Sequence, residues 1–129
     1  MQAIESRADK SDLPLVTIVT PAYNQADYLS ETIDSVLAQD YPNIEYIVID
    51  DGSTDCTSEI LKQYDGRIRG ASQANIGQAA TLNRGWQMGS GQIVGYLSAD
   101  DLLKPFAISE SVLFMLRNPE AILVYPDFE

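Results

Sequence analysis

Apolar residues along the chain fall into short β-branched runs separated by stretches with helical spacing. Leu15-Val-Thr-Ile-Val-Thr20 is the first run and predicts a buried strand. After it, Leu29, Ile33, Val36 and Leu37 recur at i, i+4, i+7 and i+8, one face of a helix. Asp27 is its expected N-cap, and Tyr41-Pro-Asn43 its stop. Ile44 to Ile49 is the next strand, which completes a βαβ unit.

The alternation continues. Thr54 to Tyr64 reads as a helix with Ile60, Leu61 and Tyr64 inward, Arg67 to Ala71 as a weak strand, and Ala79, Leu82 and Trp86 mark a third helix. Ile93 to Leu97 is the fourth strand. Phe106 to Arg117 is a last helix with Ile108, Val112 and Leu116 on one face, ended by Asn118-Pro119, and Ile122 to Tyr125 begins a fifth strand. Strands alternating with helices imply an α/β fold with a mostly parallel sheet. Residues 1–13 mix charges without periodicity and are expected to be a disordered lead-in to a domain over residues 14–129. The chain stops at Tyr125-Pro-Asp-Phe-Glu129, directly after a strand-like run, so a truncated fold is expected.

Two of the apolar runs end on paired carboxylates. Ile47-Val-Ile leads into Asp50-Asp-Gly-Ser-Thr-Asp55, and Ile93-Val-Gly-Tyr-Leu-Ser-Ala leads into Asp100-Asp101. Gly52 suits a tight turn and Ser53, Thr54 or Asp55 can cap a helix, which accounts for everything after Asp51 but not for the doublet. Ser98-Ala-Asp-Asp101 alone fits an Asx turn. In open parallel sheets ligands bind outside the carboxyl ends of the strands, where both acid pairs lie. Together the pairs suit Mg²⁺ or Mn²⁺, hard ions held by one or two carboxylates plus substrate phosphates.

Charge restricts the partners. Eight basic residues against nineteen acidic give a net charge of −11, which disfavours nucleic acid and anionic membrane surfaces. An anionic substrate therefore needs a cation to mediate it. The one cysteine, Cys56, has no internal partner, and no secretory leader pattern precedes it, so a cytoplasmic setting is expected. No run of about 18 apolar residues is present, so no membrane span is expected.

Smaller features add detail. Gly77 precedes a helix whose N–H groups suit an anion, although a plain loop and amphipathic helix explain Ala79, Leu82 and Trp86. Asn83 and Arg84 fit that plain reading less well, since Asn is a mediocre helix former and Arg84 is one of few cations. Tyr23, after the first strand, is placed to stack on a base or to rim the core. The chain has no histidine, no GxGxxG and no GxxxxGK[ST], which removes His-based triads and argues against NAD-type Rossmann and P-loop sites.

Four motifs in order, Val19-Thr-Pro-Ala-Tyr-Asn24, Val48-Ile-Asp-Asp-Gly-Ser-Thr-Asp55, Asn75-Ile-Gly77 with Asn83-Arg-Gly85, and Tyr96-Leu-Ser-Ala-Asp-Asp101, make the chain resemble the family 2 glycosyltransferases from Leu15 onward. The resemblance implies a Rossmann-like three-layer GT-A fold and inverting transfer of a sugar from a nucleotide-diphosphate donor, expected to be a UDP-sugar. The acceptor is a carbohydrate or lipid-linked hydroxyl in cell-envelope or polysaccharide synthesis. It implies nucleotide contacts by Pro21, Tyr23, Asp50, Asp51, Asn75, Gly77 and Asn83, and a divalent cation, Mn²⁺ or Mg²⁺, at Asp100 and Asp101. Ser98 stands where the family's motif often has its first Asp, leaving fewer protein ligands for the metal. The family's general base comes from a segment expected beyond residue 129, so a catalytically incomplete nucleotide-binding module is the alternative. The inner face of the membrane is reached, in this reading, only through other segments or partners. Sugar-nucleotide-forming nucleotidyltransferases rank below both, because Pro21-Ala-Tyr-Asn-Gln25 lacks their Gly- and basic-rich loop.

Overall fold

The computed structural model of the chain describes residues 13–120. The expected fifth strand at Ile122–Tyr125 lies outside them, as do residues 1–12 of the expected lead-in. The elements run β1 (Val16–Ala22), α1 (Ala26–Leu37), β2 (Ile44–Asp51), α2 (Thr57–Gln63), β3 (Arg69–Gln73), α3 (Gln78–Met88), β4 (Ile93–Tyr96) and α4 (Ala107–Arg117). The four strands form one sheet in the order β3-β2-β1-β4, all pairs parallel.

Strand period sorts the core into two layers. Val16, Ile18 and Ala22 of β1, with Tyr46 and Val48 of β2, face one side. There they meet Leu29, Ile33 and Val36 of α1, Leu61 of α2, and Ile108 and Val112 of α4. Val19 of β1 and Ile47 and Ile49 of β2 face the other side, against Leu82, Trp86 and Met88 of α3. Two polar side chains buried on the first side satisfy each other: the hydroxyls of Thr20 and Tyr46 lie 2.8 Å apart. Helix α3 approaches β1 closely at Gly85, where an added Cβ would come within 2.4 Å of Val19 Cγ1.

Several expected bounds move, each for a local reason. Asp27 is not the cap of α1 but sits in its first turn; the Ala26 N–H donates instead to Asp55 Oδ2 at 3.1 Å, from 29 positions away. Helix α2 starts at Thr57 rather than Thr54, and in the turn before it the N–H groups of Thr54 and Asp55 donate to Asn24 Oδ1 at 2.8 and 3.3 Å. Asp55 then serves α2, accepting from the N–H of Thr57 at 3.0 Å and from its hydroxyl at 2.5 Å. On α3 the buried positions are Thr81 and Gly85, and Ala79 is exposed. On α4 Leu116 is exposed rather than inward. Strand β3 runs two residues later than expected, to Gln73.

Candidate functional site

The sheet opens where β1 and β4 part. Strand β4 pairs with β1 only from Val16↔Ile93 to Val19↔Tyr96, while β1 stays paired with β2 as far as Ala22↔Asp50. Pro21, with no N–H to give, therefore sits past the end of the β4 ladder, where none is required. Order runs outward from β1 in both directions, through β2 to β3 on one side and to β4 on the other, which makes the β1–β4 gap the switch point of the sheet. A cleft of about 410 Å³ lies there, lined by Pro21 to Tyr23 and Gln25 after β1, Asp51 after β2, Asn75, Gly77 and Gln78 before α3, and Ser98 to Asp100 after β4.

The period of two separates the acid doublet. Asp50 lies on the α1 side of β2 and Asp51 on the α3 side, and both are buried. Asp50 Oδ1 accepts the Ser53 N–H at 3.0 Å, closing the turn at Gly52, whose φ is +78°. It does not line the cleft.

Asp51 is the centre of a denser set of bonds. Its Oδ1 accepts from Gln73 Nε2 at 2.9 Å and from the Ile76 N–H at 2.9 Å. Its Oδ2 accepts from the Gly77 N–H at 3.0 Å and from Asn75 Nδ2 at 3.3 Å. Burial works to raise the pKa of this carboxyl, but the bonds from Gln73, Ile76 and Gly77 outweigh it and hold the group below the usual carboxylate range. A carboxylate offers about four acceptor sites, so protein donors fill nearly all of them, the Asn75 bond being the longest. Asp51 thus anchors the 75–77 segment, where Gly77 has a φ of +94°. The N–H groups of Ile76 and Gly77, just before α3, bind an anion, but that anion is the chain's own Asp51.

The other expected residues divide. Tyr23 is 49% exposed at the cleft, open to a flat ligand. Asp100 lines the cleft and is exposed, as is Asp101, whose N–H donates to the Ser98 carbonyl at 3.1 Å to form a turn. Asp101 itself does not line the cleft, and neither does Asn83, exposed on α3. The single ion pair among the described residues joins Arg69 to Glu45, so neither Asp100 nor Asp101 has a cationic partner there. No group of three or more His, Cys, Asp or Glu side chains gathers as a metal site among the described residues. A cation at Asp100 would therefore have one or two carboxylates from the protein and would need substrate phosphate to complete its shell, rather than a protein cage. The Ser98 hydroxyl is engaged with Tyr96, 2.5 Å away, and Tyr96 also accepts from Gln78 Nε2 at 2.6 Å.

Residues that sequence reading passed over complete the site. Gln25, Gln78 and Ala22 line the cleft. Gln73 and Thr81 support Asp51: Gln73 Nε2 also donates to Thr81 Oγ1 at 3.0 Å, and Thr81 donates to the Gly77 carbonyl at 2.7 Å. The available signal was positional, since Gln73 stands opposite Asp51 in the β2–β3 register.

A small parallel sheet with acids at its carboxyl ends and a switch-point cleft has many solved counterparts. The chain belongs to glycosyl transferase family 2, whose family model matches residues 17–127, and its fold is that of the GT-A glycosyltransferases. An uncharacterized glycosyltransferase of Rickettsia typhi is 42% identical over 118 residues, covering 90% of this chain and 37% of that protein. TuaG of Bacillus subtilis, a glycosyltransferase named for teichuronic acid biosynthesis, is 39% identical over 109 residues, covering 81% of this chain and 43% of its own length. The mannosyltransferase PcManGT of Pyrobaculum calidifontis, solved with GDP-Man and Mn²⁺, superposes with a TM-score of 0.73 at 28% identity, over 80% of this chain and 32% of that one. The chain thus spans less than half the length of the curated relatives it matches. No helix among the described residues is long and apolar enough to cross a membrane.

Proposed function

We propose that the chain is the donor-binding part of an inverting glycosyltransferase that moves a sugar from a nucleotide-diphosphate sugar to an acceptor hydroxyl. The observation that carries this reading is the cleft at the β1–β4 gap, which brings Tyr23, Asp51 and Asp100 from three separate strand ends into one space. Tyr23 covers the base. Asp51 faces its N–H edge, and a base N–H reaches the carboxylate by displacing the longest of its four bonds, the one from Asn75. Pro21, Asn75 and Gly77 border the nucleoside. Asp50 acts behind the cleft wall, closing the Gly52 turn, and Asn83, exposed on α3, is not assigned to the ligand.

Asp100 would hold a divalent cation, with Asp101 at its side, and the solved relative with Mn²⁺ and GDP-Man supports such a cation. A bound cation would supply charge neutralisation on the departing diphosphate. Transfer itself is a direct displacement: the acceptor oxygen bonds to the anomeric carbon as the bond to diphosphate breaks, and a general base takes the hydroxyl proton. That base belongs to the portion of such enzymes that this chain does not span. TuaG's name supports a cell-envelope polysaccharide as the acceptor class, and uracil is the base to test first.

Calorimetric titration with UDP and GDP, with Mn²⁺ present and then chelated, tests the reading. Metal-dependent binding of one of them supports it and identifies the base. Binding to neither, by a chain that is folded by circular dichroism, overturns it. Binding without sugar transfer to any supplied acceptor leaves the chain as a nucleotide-binding module.

A further inference from the structure

Arg84 is one of only eight basic residues, and among the described residues it forms no ion pair with an acid. It donates from Nη1 to Oε1 of Gln73. Gln73 in turn donates from Nε2 to Asp51 Oδ1 at 2.9 Å and to Thr81 Oγ1 at 3.0 Å. Arg84 is not among the residues that line the cleft.

This sequence of contacts determines which way the Gln73 amide faces. A guanidinium has only donors and an ionised carboxylate only acceptors. An amide between them satisfies both in one orientation, oxygen towards Arg84 and nitrogen towards Asp51. Turned over, it would set oxygen against carboxylate and NH₂ against guanidinium. The reach is fixed by the sheet, since Gln73 and Asp51 are register partners at the carboxyl ends of β3 and β2. Asp51 then passes the constraint on, because its two oxygens hold the N–H groups of Ile76 and Gly77 at the cleft wall.

We propose that Arg84 and Gln73 are positioning residues for the donor nucleoside: Arg84 orients the Gln73 amide, and the amide holds Asp51 and the Ile76–Gly77 backbone in the form that receives the base. The inference rests on the nucleotide-binding reading above and assigns the Arg84 charge to the architecture of the nucleoside end. A direct Arg84 contact to the donor's phosphates is the competing role, and the two differ in what a ligand without phosphate would report.

Titration of the 129-residue chain with uridine, UDP, guanosine and GDP separates them, comparing the wild type with Arg84→Met, Arg84→Lys, Gln73→Leu and the Gln73→Leu/Arg84→Met double variant. Arg84→Met is expected to weaken the nucleoside and its diphosphate by the same factor, about tenfold, as for loss of a charge-assisted bond. Arg84→Lys restores part of that loss, and the double variant binds no more weakly than Gln73→Leu alone, because both act through one amide. Loss for the diphosphate with the nucleoside unaffected overturns the relay in favour of a phosphate contact. Unchanged affinity for both overturns it outright. If the wild type binds none of the four compounds, the nucleotide reading fails, and the relay is decided in the free chain by the backbone amide resonances of Ile76 and Gly77. Shifts at both in Arg84→Met, repeated in Gln73→Leu, support it, and resonances that stay in place overturn it.

Discussion

The N–H of Gly77 and the carboxylate of Asp51 meet at 3.0 Å across 26 positions of sequence, so the end of β2 and the start of α3 are tied by one acid. Asp51→Ala would strand the N–H groups of Ile76 and Gly77 and one arm of the Gln73 amide in a part-buried place. Each lost acceptor costs about 1–3 kcal/mol, reduced where water enters. The expected net loss is about 2–4 kcal/mol of unfolding free energy together with loss of nucleotide binding. Denaturant unfolding measures the first and calorimetry the second. A variant as stable as the wild type would mean that Asp51 is not the anchor of this segment.

Asp100 stands in the opposite situation, exposed and unpaired by any described cation. Asp100→Asn keeps its size and removes its charge, so stability should change by no more than about 0.5 kcal/mol. Metal-dependent nucleotide binding should fall at least about tenfold, and Asp101→Asn, at a residue that does not line the cleft, should cost less. Titration of Mn²⁺ in the presence of UDP or GDP checks both. Equal losses in the two variants would shift the metal assignment onto the pair as a whole.

Much of this architecture was legible because apolar runs carry it. The strand and helix order of the described residues follows from β-branched runs and four-residue spacing, and the strand-end positions of Asp51 and Asp100 follow from where those runs stop. What was not legible depends on partners far along the chain. The segment before α2 is held by Asn24, whose side chain engages Thr54 and Asp55 some 30 positions on, and whose φ of 53° lies in the left-handed region. The place of Asn83 depends on which face of α3 is buried: Leu82 and Trp86 pack on the sheet and Gly85 approaches Val19, which leaves Asn83 exposed. Gln73 could be assigned a role only once the β2–β3 register was known. The separation of Asp50 from Asp51 was available in principle, since adjacent strand residues point to opposite faces.

Gly85 allows a direct test of that approach. An added Cβ there would lie 2.4 and 2.8 Å from the two γ-carbons of Val19, itself fully buried in the central strand. Neither a strand nor an eleven-residue helix packed on it yields cheaply. Gly85→Ala should therefore destabilise by about 1–3 kcal/mol despite the better helix propensity of alanine, which favours it by about 1 kcal/mol. Thermal unfolding gives the answer. A raised midpoint would mean that α3 moves off the sheet without penalty, and Gly85→Ala with Val19→Ala should recover part of the loss if contact is the cause.

Acid conditions should expose the same anchors. Among the described residues two carboxyls have folded pKa values held down: Asp51 by the bonds from Gln73, Ile76 and Gly77 that outweigh its burial, and Asp55 chiefly by the Thr57 hydroxyl. A group with a lowered folded pKa adds stability that is complete above its unfolded value, near 3.8, and is lost as pH falls from there through the folded value. Over that range the unfolded chain binds more protons, so unfolding free energy decreases with falling pH. Protonation also relieves self-repulsion in a chain of net charge −11, but that term is nearly common to wild type and single variants. The difference between them isolates the anchor. Urea midpoints measured from roughly pH 6 to pH 2.5 should fall less steeply in Asp51→Asn and in Asp55→Asn than in the wild type. Parallel acid limbs in all three proteins would show that neither carboxyl is bound more strongly in the folded state as an anion.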